Sequence, residues 1–234
     1  MNHVQTTIPQ ALAQAVRRFP TTPLLTFYDD ASGDRTELSG ATLDNWVSKT
    51  ANMLLDGVGL APGDTVAVLM PPHWQTAAIL LGVASAGLAA DLGDRPGAVD
   101  ALFTTPSGVA AAAEKVTLDR YATGLLPLAM PLRSLPEGYQ DYVLEVRNYG
   151  DHFGGAPAGP DDSTVLRRGA QRATELGITA GDRVLMDARA YPDPVDWLFA
   201  PLVAGASIVL CTNLDPAKLD ARIDTEKVSR TPAR

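Results

Sequence analysis

Apolar residues recur at helical spacing in the first segment of the chain. Ile8, Leu12, Ala15, Val16 and Phe19 fall on one face, which predicts a helix over Ile8–Phe19. Thr7 can cap it, Gln10 completes a capping box, and Pro20 and Pro23 end it. Leu24–Tyr28 then reads as a strand, Asp29–Asp34 as a turn cluster and Arg35–Leu38 as the returning strand of a hairpin. Leu43, Trp46, Val47, Thr50, Met53 and Leu54 restore the helical period behind Ser39, with Gly57 as the stop. A strand over Thr65–Met70 is broken by Pro71 and Pro72 and followed by a helix over Trp74–Ala86. Leu88–Leu92 and Ala101–Thr104 read as strands, Ser107–Val116 as an alanine-rich helix, Gly124–Met130 as a further strand and Tyr139–Arg147 as a short helix. Beyond a Pro- and Gly-dense stretch the pattern restarts: helix Ser163–Leu176, strand Arg183–Asp187, helix Val195–Val203, strand Ala206–Thr212. Strands alternating with helices predict an α/β fold with a mainly parallel sheet.

The restart copies the earlier pattern. Gly59, Gly63, Asp64, Val66, Ala86 and Gly87 match Gly177, Gly181, Asp182, Val184, Ala204 and Gly205, each pair 118 positions apart without a gap. Both copies read Gly-x-x-x-Gly-Asp-x-Val, strand, proline-containing loop, helix, Ala-Gly, strand. The period is too long for a solenoid. It predicts two similar α/β lobes: residues 1–150, a linker over 151–162, and a second, shortened lobe over 163–234.

Hydrophobic residues make up 46% of the 234 positions, enough for a packed core. Net charge is −8, which argues against nucleic acid and anionic membrane surfaces as partners. The longest apolar stretch, Ala77–Ala90, is shorter than the ~20 residues of a membrane span. Met1–Gln5 shows no basic region leading into an apolar one, so no signal peptide is expected and the cytoplasm is the expected compartment. The lone Cys211 lies in an apolar run and reads as a buried, inert strand residue. His3, His73 and His152 share no metal-ligand spacing, so no metal site is expected. No Gly-x-Ser-x-Gly elbow and no Gly-x-Gly-x-x-Gly after a strand is present.

His73-Trp74 follows Pro71-Pro72 at the carboxyl end of a strand, where open α/β sheets bind ligands. Tyr191 and Asp193 occupy the matching loop of the second copy. The four residues form a candidate pocket. The competing reading has Trp74 packed on the sheet and His73 filling a helix-start turn, because position alone is fold analogy.

The segment Leu38–Pro71, most clearly Val58–Pro71, resembles the early motif of the acyl-adenylate-forming superfamily, the acyl-CoA synthetases and adenylation domains. Ser85-Ala86-Gly87 resembles its next element, and Trp197–Leu210 resembles its Leu-Leu-Ala-Pro-Leu-Leu-Ala-Gly-Ala segment. The chain is also similar to short standalone bacterial relatives of that domain. The resemblance implies two Rossmann-like lobes like the N-terminal subdomains of those enzymes, and acyl activation with ATP where the chemistry is complete. That family holds phosphates on a Ser/Thr-Gly-rich loop ending Pro-Lys-Gly. At the corresponding place this sequence has Gly154–Asp162, with no lysine, no hydroxyl and two carboxylates that would repel phosphate. Thr104–Gly108 is the other hydroxyl-rich turn and also lacks a lysine. The family's Tyr-Gly-x-Thr-Glu element, ribose-binding Asp and C-terminal lysine are not found up to Arg234. No catalytic residue and no cofactor is therefore expected, with ATP or AMP as the alternative ligand. Three functions fit: a non-catalytic binding or interaction module that pairs with itself or another protein, an acyl-activating subunit completed by a partner chain, or a structural remnant without a small ligand.

Overall fold

A computed structural model of the chain describes residues 7–93, 95–155 and 163–232. In chain order they form α1 (Ile8–Arg18), β1 (Pro23–Asp29), β2 (Asp34–Ser39), α2 (Gly40–Asn52), β3 (Thr65–Leu69), α3 (Trp74–Ser85), β4 (Ala89–Asp91), β5 (Gly97–Ala98) and β6 (Ala101–Thr104). There follow β7 (Lys115–Val116), β8 (Asp119–Ala122), β9 (Gln140–Asp141), α4 (Tyr142–Val146), α5 (Ser163–Glu175), β10 (Arg183–Asp187), α6 (Ala200–Ala204), β11 (Ser207–Thr212) and α7 (Leu219–Thr225). The fold is mixed α/β with mainly parallel sheets, as the alternation predicts.

The chain divides into two compact units, and neither is a contiguous stretch. One holds the described residues up to Asp44, Pro72–Trp74 and those from Ser163 onward. Its sheet runs β10-β11-β1-β2, with only β2 antiparallel to its neighbour. The other holds Asn45–Pro71 and the described residues from Gln75 to Gly155, with an all-parallel sheet β4-β3-β6-β8-β9. This differs from the expected division at 150, because β1 and β2 join the sheet of the second copy. Two strands alone make a marginal sheet. β1 adds a third by pairing along β11 from Leu25 opposite Ile208 to Asp29 opposite Thr212. Most of the expected linker, residues 156–162, lies outside the described residues.

The repeat extends to individual hydrogen bonds. Gly63 N–H donates to the Gly87 carbonyl at 2.9 Å, and Gly181 N–H to the Gly205 carbonyl at 3.0 Å. All four glycines have positive φ, between 71° and 99°, where a side chain would be strained. Asp64 Oδ2 accepts from Ala61 N–H at 2.8 Å, and Asp182 Oδ2 from Thr179 N–H at 2.7 Å. Thr65 faces Ala89 as Arg183 faces Ser207, so strand register repeats with the same offset.

Two expected elements take other forms. Ser107–Val116 is a 3₁₀ turn at Pro106–Gly108 followed by turns, and Lys115 then pairs with Gly97. Alanine's helix preference is a weak prior here: the Lys115 ammonium is buried against Asp91 at 2.6 Å, which fixes the chain in a strand. The strand expected at Gly124–Met130 lies earlier, at Asp119–Ala122, where Tyr121 and Ala122 supply the buried positions. Residues 124–130 hold only a 3₁₀ turn at Pro127–Ala129, with Leu125, Leu128 and Ala129 at positive φ.

Candidate functional site

In the first unit β10, β11 and β1 are parallel, so Asp187, Thr212 and Asp29 end at the same edge of the sheet. Asp29 is tightly engaged there. Its carboxylate accepts from Ala31 N–H at 3.0 Å, Ser32 Oγ at 2.7 Å and Asn213 Nδ2 at 2.7 Å. Burial works against its charge, yet hydrogen bonds from Asn213 and Ser32 hold its pKa below the ordinary value.

The four predicted pocket residues take distinct places. His73 is buried and meets the Phe27 ring edge-on, with centroids 4.3 Å apart, and tilts against Trp74 at 5.6 Å. Burial pushes its pKa down to about 3 against the pull of Asp29. Trp74 opens α3 as a fully buried side chain, and Tyr191 is also buried. Asp193 caps the π-helical turn Val195–Phe199, accepting from Val195 N–H at 2.8 Å and pairing with Arg168 at 3.3 Å. The structure thus brings His73 and Trp74 together with Phe27, and gives Asp193 a capping role.

Sequence reasoning missed the charged clusters made by α7 and the residues after it. Arg222 grips Asp30 with two nitrogens, at 2.6 and 3.0 Å, and its guanidinium lies 4.1 Å from the centre of the Tyr28 ring. It also approaches Cys211 Sγ at 3.5 Å. Burial nevertheless pushes the Cys211 thiol up to about 11, so it is not a nucleophile at neutral pH. Glu226 receives the Tyr28 hydroxyl at 2.5 Å, Arg35 at 2.9 Å and Arg183. Each partnership joins residues remote in sequence, so no local motif announces it.

The phosphate-loop position offers no cation in sequence, and its residues 156–162 lie outside those described. The chain's four lysines sit elsewhere: Lys49 donates to the Tyr149 carbonyl, and Lys115, Lys218 and Lys227 face Asp91, Asp30 and Asp224. Among the described residues there is no group of three or more metal-ligating side chains, and no helix is long and apolar enough to cross a membrane.

This architecture is that of the N-terminal part of acyl-CoA synthetases. It is similar to the crystal structure of Brucella canis acyl-CoA synthetase, with a TM-score of 0.72 at 19% identity, covering 94% of this chain and 46% of that one. It is also similar to the N-terminal domain of FACL13 from Mycobacterium tuberculosis, with a TM-score of 0.65 at 16% identity, covering 96% and 62%. The chain therefore spans about half to three-fifths of these structures. Residues 12–91 match the AMP-binding enzyme family. A "TIGR03089 family protein" of Mycobacterium tuberculosis is 43% identical over 242 positions, covering 96% of this chain and 99% of that relative. The chain belongs to the TIGR03089 family.

Proposed function

We propose that the chain is a non-catalytic relative of the acyl-adenylating enzymes, acting as a binding or interaction module. The observation that carries this reading is the composition of Gly154–Asp162, where the superfamily's phosphate loop falls. Backbone amides without a lysine or hydroxyls, followed by two carboxylates, give poor electrostatics for a triphosphate.

Calorimetry with Mg·ATP, AMP and a non-hydrolysable acyl-adenylate mimic tests it. No heat at millimolar ligand is expected. Micromolar binding of any of the three would overturn the reading and favour an acyl-activating subunit completed by a partner.

The interaction half of the proposal has its own support. Leu118, Leu128 and Val116 are 95%, 83% and 67% exposed, and all lie in the second unit. Exposed apolar side chains favour contact with another surface where they form a contiguous patch. We expect a homodimer, or a complex with a protein partner. Light scattering across micromolar concentrations should give twice the monomer mass, or a stoichiometric partner should co-purify; a lone monomer throughout counts against it.

A further inference from the structure

The second unit carries a cleft at the crest of its sheet. β3, β6 and β8 are parallel and end level, with Leu69 opposite Thr104 and Thr104 opposite Ala122. The residues just past those ends line an open groove of about 780 Å³: Leu69–Pro71, Thr105–Gly108, Gly124–Leu126, and Leu132. That volume is within the usual range for small-ligand sites, and the carboxyl edge of a parallel sheet is where such ligands bind.

The cleft is a built feature. A Cβ on Gly108 would lie 2.5 Å from Thr104 Oγ1, and one on Gly124 would lie 2.8 Å from Leu132 Cδ2. A side chain at Gly108 would push the Thr104 hydroxyl off the Leu69 carbonyl to which it donates, whereas one at Gly124 would only displace the Leu132 and Leu126 side chains. Leu125 holds a φ of 52° on one wall, and Leu128 and Ala129 share the left-handed region just beyond it. Two ties keep this segment in place: Arg147 donates to the Ala129 carbonyl at 2.7 Å, and Leu132 N–H donates to Asp141 Oδ2 at 2.6 Å. Backbone strain of this kind persists only where the surroundings over-determine it, and it clusters at ligand sites.

The lining defines the ligand class. No lining residue carries a charge, and the walls are leucine, methionine, proline and glycine apart from Thr105 and Ser107. A carboxylate or phosphate seated against this lining would meet no counter-charge, and the part of it turned to the apolar wall would give up water for nothing in return. Thr105 Oγ1 and Ser107 Oγ lie 3.0 Å apart, and either can donate to the other. Gly108 N–H donates to Thr105 Oγ1 at 3.2 Å. Of the two hydroxyl hydrogens, one is used in the mutual bond and the other is left to donate outward.

We infer that this cleft binds an uncharged, largely apolar small molecule whose single hydrogen-bond acceptor, such as an amide or ester carbonyl, meets the Thr105–Ser107 hydroxyl pair. The inference extends the binding-module reading by naming a ligand class. Its test uses no nucleotide, so the two can fail separately.

The test is a titration of the full chain, methyl-labelled at Met and Leu, followed by NMR. The probes are decanamide and benzamide, each set against its carboxylate, decanoate or benzoate, at neutral pH. At least one amide should shift the Met70 and Leu126 methyl signals, with at least about tenfold tighter binding than its carboxylate. Ser107 is exposed, so Ser107→Lys should fold and should reverse that preference by placing a cation at the polar end. Silence of both methyl groups to both amides overturns the inference. So does equal binding of amide and carboxylate, or a preference unchanged in Ser107→Lys.

Discussion

Replacing Asp30 with alanine is expected to destabilise the fold by about 3–5 kcal/mol, a large part of the stability of a typical domain. Asp30 and Arg222 each expose only 6% of their side chains and meet through two short hydrogen bonds. Asp30 Oδ2 also accepts from Asp215 N–H at 2.8 Å, which fastens the segment leading into α7. Without the carboxylate, Arg222 stays charged because a guanidinium does not deprotonate in proteins. It would then be buried between the Tyr28 ring and the Cys211 thiol with its main counter-charge gone. Lys218 offers no relief, being a second cation 3.6 Å from the same carboxylate.

Urea unfolding of Asp30→Ala, Arg222→Met and the double variant measures this directly. The double variant should lose clearly less than the two single losses added, because removing both charges leaves neither one stranded. Strict additivity would mean that the pair is effectively solvated and contributes little. The pair also sets an acid limit. The Arg222 hydrogen bonds hold the Asp30 pKa down at about 2 despite burial. Its contribution is thus complete above the unfolded carboxyl value of about 3.9 and is lost as pH falls through about 2.

The same cluster shows which parts of this protein can be read from its sequence. Glycine-Asp turns are local: Gly63 and Gly181 need positive φ whatever lies around them, so the repeat was legible, and with it the order of strands and helices within the two copies. Asp30 and Arg222 are 192 positions apart, and Tyr28 and Glu226 are 198 apart, and periodicity holds no information about such partners. The placement of β1 beside β11 was hidden for the same reason, and the contiguous division into lobes missed it. At the candidate pocket, the position of His73 and Trp74 past a strand end was legible, whereas the capping role of Asp193 depends on the turn that follows it. The crest cleft was half visible. Thr105 and Ser107 stood out as a hydroxyl-rich turn, but the opposing wall comes from Leu132 and from Gly124–Leu126, where a strand was expected and the backbone turns left-handed at Leu125 instead.

Acid should destabilise the fold through His73 well before it reaches the carboxylates. The imidazole is 3% exposed and packed between the Phe27 and Trp74 rings. Burial lowers its pKa from 6.5 to about 3, the charge of Asp29 opposing the shift only in part. The folded state therefore leaves His73 neutral in a range where the unfolded chain protonates it. Well above pH 6.5 the two states bind the same number of protons there, and His73 adds no pH dependence. Below it the unfolded state gains a proton that the folded state refuses, so stability falls by about 1.4 kcal/mol per pH unit until the folded value is reached. By about pH 4.5 the loss from this one group amounts to about 2–3 kcal/mol. His73→Phe keeps a flat ring against Phe27 and removes the titration. Its stability relative to the unsubstituted chain should therefore be constant above about pH 7 and rise by that amount on the way to about pH 4.5. Taking the difference between the two chains cancels the carboxylates other than Asp29, whose charge acts on His73, and the window closes before Asp30 begins to protonate in the folded state. A difference that stays flat from about pH 7 to about pH 4.5 would mean that the folded state protonates His73 as readily as the unfolded one, and the imidazole would have to be reached by water.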